Sequence, residues 1–140
     1  MAQEFLDGAE KAKRPVMMVA NVMCLVGEIR KDASQWEKAW ELSNHRCARA
    51  MRSLGRHRFY DNKFEESIEC FHKSFAINRL YQNEWFTCGC AHMRLEQFEK
   101  AVFAFGNVVS IDEMNAEAWG NIANCYAIQE KFQEALACSE

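Results

Sequence analysis

The feature that most limits the folds open to this chain is a period of 34 residues. When residues 82–115, QNEWFTCGCAHMRLEQFEKAVFAFGNVVSIDEMN, are moved back by one period, Phe98 falls on Phe64, Glu99 on Glu65, Phe105 on Phe71 and Ile111 on Ile77. Moved forward, Trp85 falls on Trp119, Phe98 on Phe132 and Ala101 on Ala135. Self-similarity at a period of roughly 20–50 residues marks a solenoid, in which no unit buries its own apolar face and stacking completes the core. Fold and function then become two questions: what each unit is, and what the surface of the stack presents.

Each unit reads as a pair of helices. Phe64, Ile68, Phe71 and Phe75 stand at i, i+4, i+7 and i+11, an amphipathic helical stripe over 64–77. Before it, Ala48, Met51, Leu54, Gly55 and Phe59 line one side of a helix expected over 45–60, with Ser43-Asn44 as its turn and N-cap. Asp61-Asn62 separates the two. The pair recurs as 82–95 with 98–111, and again as 116–129 with 132–140. Upstream, Pro15 is expected at the first position of a helix, where its missing N–H is not needed. The following residues to about Arg30 are apolar nearly all round, which predicts cover on both sides. Ser34 and Glu37 form a capping-box pattern for a short helix bearing Trp36, Ala39 and Trp40. Residues 1–13 read equally as a frayed leader or as the second half of a helical hairpin. One proline and 6 glycines are too few for a fold of many β-turns, so the expectation is an all-α chain. Its single domain divides into an irregular hairpin at 15–47, repeats at 48–81 and 82–115, and a truncated repeat at 116–140.

The unit resembles the tetratricopeptide repeat, W-x2-L-G-x2-Y followed by A-x3-F. Trp85, Gly89, Ala101 and Phe105 fill four slots of the central unit; Leu54-Gly55 and Phe71 fill slots of the one before; Trp119, Tyr126 and Ala135 fill slots of the one after. Cys88 and His92 stand where the pattern has Leu and Tyr. Upstream, Val26-Gly27 and Trp36-Glu-Lys-Ala39 mimic the same pattern, but that unit is six residues short, and the shortage falls after Leu42. Residues 20–140 further resemble the tetratricopeptide repeat protein 27 family, most specifically through WEKAWELSNHRCARAMRSLG (Trp36–Gly55), FEESIECFHKSFAIN (Phe64–Asn78) and NAEAWGNIANCYA (Asn115–Ala127). That resemblance implies a non-enzymatic adaptor in a much larger eukaryotic protein. It also implies that this chain is a fragment, in keeping with Glu140 falling inside a second helix without a polar cap.

The residues that could do chemistry do not assemble into a motif. Cys88 and Cys90, two apart on a helix, point to different sides; Cys88 and His92 at i, i+4 supply two ligands where zinc takes four. No triad and no Gly-rich phosphate loop appears, so no catalytic residue, metal ligand or cofactor is expected. The seven cysteines, an odd number, with no apolar leader at the start, suit a reducing interior, and the location expected is the cytoplasm or nucleus. A net charge of -3 argues against bulk attraction to nucleic acid.

The resemblance to tetratricopeptide repeats also implies which side chains face the concave groove: Arg49, Arg52, Arg56 and Phe59 from one unit, Asn83, Phe86, Cys90 and Met93 from the next, then Asn121 and Asn124. The three arginines form one stripe at i, i+3 and i+7. They read as a wall for an acidic segment, or as charges that pair with acidic residues of missing neighbouring repeats or are merely solvated. The clamp by which some such domains hold a chaperone's C-terminal carboxylate would fall on Arg52, Arg56, Thr87, Glu117 and Asn121. Glu117 has the wrong sign, so that ligand is not expected. The function expected is a protein–protein interaction scaffold with a peptide in the groove. The alternative is a purely structural set of repeats joining parts of a longer solenoid. Self-association through apolar 132–136 is a further expectation.

Overall fold

The computed structural model describes the backbone of residues 2–139, with side chains for 15–131 and 133. Seven helices and no strand occur among the described residues: α1 (Ala2–Arg30), α2 (Ala33–Leu42), α3 (Ala48–Tyr60), α4 (Phe64–Ile77), α5 (Gln82–Arg94), α6 (Phe98–Ile111) and α7 (Ala116–Ser139). Each helix packs on the next, and α3 also touches α1 and α5, so the first helices of successive units stand side by side.

One contact builds each hairpin. A Cβ added to Gly55 would lie 2.8 Å from the Phe71 ring, and one added to Gly89 would lie 2.7 Å from the Phe105 ring. The repeated glycine thus lets the repeated phenylalanine sit against the partner helix of its own unit. Gly27 also lies close to an aromatic of the next helix, Trp36 at 2.8 Å, but Trp36 holds the slot of Phe64 and Phe98, so the irregular unit closes through a different position. Where Ser67 replaces the usual alanine, its hydroxyl donates to the Gly55 carbonyl at 2.7 Å and stays fully buried. Trp85 stacks on Phe75 with ring centroids 3.7 Å apart, joining one unit to the next, and its indole N–H donates to the Arg79 carbonyl. Trp119, one period later, makes the matching bond to the Glu113 carbonyl.

The turns inside the hairpins repeat as well. Lys31, Asn62 and Glu96 each adopt positive φ (54°, 61° and 58°). The next N–H closes back on Gly27, Arg58 and His92 respectively, at 3.0, 2.8 and 2.8 Å. That is the Schellman closure, which satisfies a carbonyl the helix end would leave unpaired.

Four helices differ from what the sequence suggests. Pro15 lies inside α1 instead of opening it, because its fixed φ is helical and the cost is confined to one backbone hydrogen bond and local crowding. Residues 1–13, read as leader or half-hairpin, are backbone of that same helix from Ala2 on. Beyond Pro15, α1 is covered on one side only: Ala20 and Cys24 are buried against α2 and α3, while Met18, Val19, Val22, Leu25 and Ile29 are exposed. The cap of α2 is Asp32, not Ser34: the Asp32 carboxylate accepts from both the N–H and the hydroxyl of Ser34. The α3 helix starts at Ala48, three residues late, because Asn44 and His45 turn through positive φ while Ser43 Oγ accepts from the Arg46 and Cys47 amides.

The fourth difference is α7. It runs unbroken to Ser139, with no turn at 130–131. Glu130 occupies the slot of Asn62 and Glu96, but Gln129-Glu130-Lys131 are all good helix formers and nothing in that run demands a left-handed residue. The side chains of Phe132 and of residues 134–136, on which self-association was expected to rest, lie outside the described residues. The shortage in the irregular unit, by contrast, is located in α2, which has 10 residues where α4 and α6 have 14.

Candidate protein-binding surface

A helix advances about 100° per residue, so Arg49, Arg52, Arg56 and Phe59 share one side of α3, and Asn83, Phe86, Cys90 and Met93 share the matching side of α5. The structure gives each arginine a different neighbour. Arg49 donates twice to the Glu28 carboxylate of α1, at 3.1 and 3.0 Å, and Ser53 adds a third bond at 2.9 Å. The Arg49 hydrogen bonds hold the Glu28 carboxyl below its ordinary range against the opposing effect of burial. Arg56 lies 3.8 Å from Glu84 of α5, a carboxylate that is only 5% exposed. Arg52 stacks its guanidinium on the Tyr81 ring, 4.1 Å from the centroid. Its Nε is buried and is the only such side-chain nitrogen or oxygen without a hydrogen-bond partner among the described residues.

The stripe therefore lies across the junctions between units instead of standing free. Glu28, Tyr81 and Glu84 were not visible as its partners in sequence, since they lie 21 to 29 positions away from the arginines they meet. The period was the available signal: residues one unit apart on first helices are spatial neighbours. Beside the stripe, Glu28, Lys31, Ser53, Arg56 and Tyr60 line an open cavity of about 420 Å³.

The α5 row is apolar and half-buried. Phe86 packs edge-on against Phe105, 5.3 Å between centroids, and Cys90 and Met93 pack on the same core. Asn83 is exposed, and its carbonyl accepts the Thr87 hydroxyl at 3.0 Å. Phe59 sits at the hairpin end against Tyr60 and Phe64. On α7, Asn121 is half-buried and Asn124 exposed, as is Glu117.

On the opposite side of α5 a second cluster forms. Donor atoms of His72, Cys88 and His92 all lie within 4.8 Å of one another. Cys88 and His92 alone supply too few ligands, and His72 was missed because it belongs to the preceding unit, on α4. Elsewhere, the Cys24 and Cys47 sulfurs stand 3.7 Å apart, and all six described cysteines are free thiols. No helix among the described residues is long and apolar enough to cross a membrane.

Against known proteins, no family model matches the chain. A TPR repeat-containing protein of Schizosaccharomyces pombe is 37% identical over 100 residues, which are 71% of this chain and 12% of that protein. The tetratricopeptide repeat protein 27 homolog of Dictyostelium discoideum is 39% identical over 74 residues, 53% of this chain and 9% of that protein. The chain thus spans about an eighth or less of the length of these two relatives. Among solved structures, the first TPR of Spaghetti bound to the HSP90 peptide SRMEEVD superimposes with a TM-score of 0.64 at 16% identity, covering 84% of this chain and 95% of that one.

Proposed function

We propose that this tetratricopeptide-repeat solenoid, similar in sequence to the tetratricopeptide repeat protein 27 family, is a non-enzymatic protein-interaction scaffold of the cytoplasm or nucleus. Its concave side, α3 with α5 and α7, takes a peptide or protein segment. The observation that carries this reading is the unsatisfied Nε of Arg52, held against Tyr81 between two arginines that already have carboxylates. A buried donor without a partner costs about 1–3 kcal/mol, and an acidic group on a bound segment removes that cost once the Arg52 side chain turns off the Tyr81 ring to meet it. Phe86, Cys90 and Met93 continue the same side as an apolar seat. The likeness to a peptide-binding TPR supports the class of ligand but not its identity. A chaperone tail held by a carboxylate clamp is disfavoured, because Glu117 puts a negative charge where that mode needs a cation. Bulk nucleic-acid binding has no support in the net charge of -3.

A second reading has its own observation. Arg49–Glu28 and Arg56–Glu84 link α1 to α3 and α3 to α5, which suits repeats that only join parts of a longer solenoid. Partner capture by wild type and by Arg52→Glu, with helicity checked by circular dichroism, separates the two. The binding reading expects a specific protein retained by wild type and lost from the variant. Identical retention by both would leave the structural role.

A further inference from the structure

We propose that His72, Cys88 and His92 form a zinc-binding site between α4 and α5. Cys88 and His92 lie one helical turn apart on α5, and His72 reaches them from the preceding unit, with all three donor atoms inside 4.8 Å. An imidazole–imidazole–thiolate set suits zinc among the common ions, and three protein ligands leave its fourth tetrahedral position to water or to a further side chain. Glu99 of α6 lines the same open cavity of about 560 Å³ and is the side chain available for it. Lys100 also lines this cavity and works against a cation, so Glu99 offsets it.

Two details go beyond proximity. His92 Nδ1 bonds the Gln97 side-chain oxygen at 2.8 Å, and an amide oxygen only accepts, so the proton is on Nδ1 and the Nε2 lone pair is free. That is the outer hydrogen bond that orients metal-bound histidines. The second detail is that the period does not demand these residues. The slots of Cys88 are filled by Leu54 and Ile122 in the other units, those of His92 by Arg58 and Tyr126, and that of His72 by Gly106. The three donor residues occur together in one place only, where they meet.

The protonation states agree in part. Partial burial of the rings lowers both histidines, and His92 further lowers His72, so each imidazole is neutral at pH 7. Burial pushes the Cys88 thiol up to about 12, so zinc must displace its proton. Binding therefore releases one proton from sulfur. Zinc bonds of about 2.0–2.3 Å require the donors to close by about 1 Å. His72, on an exposed position of α4, is the residue free to do so.

Titration of the reduced chain with cobalt(II), then zinc(II), tests the site. One equivalent of cobalt is expected to give tetrahedral visible bands and a thiolate-to-cobalt charge-transfer band, both removed by stoichiometric zinc. His72→Gln, which disturbs no core, is expected to weaken binding at least about 100-fold. Cys88→Ser is expected to abolish the charge-transfer band. Zinc is expected to raise the Tm of wild type and not of His72→Gln. Absence of a thiolate band in wild type, unchanged affinity in His72→Gln, or a thiolate band surviving in Cys88→Ser would each overturn the assignment. If Cys88→Ser does not fold, His72→Gln decides alone.

Discussion

At the scale of single residues, the glycine of each hairpin fixes how near the two helices come. Gly89 has a fully buried phenylalanine where a side chain would be, whereas Gly106 has nothing within 4 Å. Gly89→Ala is therefore expected to lose about 1–3 kcal/mol, because Phe105 can move only by disturbing its neighbours. Gly106→Ala is expected to gain about 0.5–1 kcal/mol, as alanine favours a helix interior. Denaturant unfolding of both variants checks the pair, and equal effects would contradict the contact described. Sequence made half of this legible. The period marks Gly89 and Phe105 as special but not as each other's partners, and the same limit hid His72 from Cys88 and Glu28 from Arg49. Periodicity says which positions are equivalent; it does not say which side chains from different positions touch.

Among the helices, the regular units were the easy part. The stripes of α4 and α6 end where the helices end, because amphipathic spacing and turn residues agree there. The irregular places are those where a local signal competed with something stronger. Ser34 carries a capping-box pattern, but Asp32 two residues earlier offers a carboxylate to its N–H and hydroxyl. Ser43 was expected to cap a helix from 45 but holds the loop before Ala48 instead. The turn at 96 shows the same competition from the other side: Glu96 is held at φ 58°, a conformation that costs most residues about 1–2 kcal/mol. Glu96→Gly is expected to stabilise the chain by about 0.5–1 kcal/mol, after allowance for the added freedom of the unfolded chain. The matching change at Asn62 should give less, since asparagine tolerates this region better. Thermal unfolding of the two variants measures the difference, and a larger gain at Asn62 would contradict it.

For the whole molecule, what holds the stack together is unevenly shared between its two sides. Stacked aromatics such as Phe75 on Trp85 join units through the core, and apolar contact of this kind is indifferent to salt. Along the arginine stripe the same units are joined by charge: Glu28 to Arg49 and Arg56 to Glu84. The partly exposed Glu28–Arg49 pair weakens as salt screens it, whereas the buried Glu84 is screened much less. Glu28→Gln is expected to enlarge the maximum dimension seen by small-angle X-ray scattering at low salt. Wild type should approach the same value at high salt, and an identical profile for both chains at all salt concentrations would contradict this. The proposed recognition surface then has a mechanical side. On that reading the solenoid would act as a spring, fastened along the arginine stripe by clips that ions in solution can loosen, while the aromatic contacts between units stay stiff. A segment that competes for one of those clips would alter the curvature of the stack as it binds, so gripping a partner and bending would be one mechanical event.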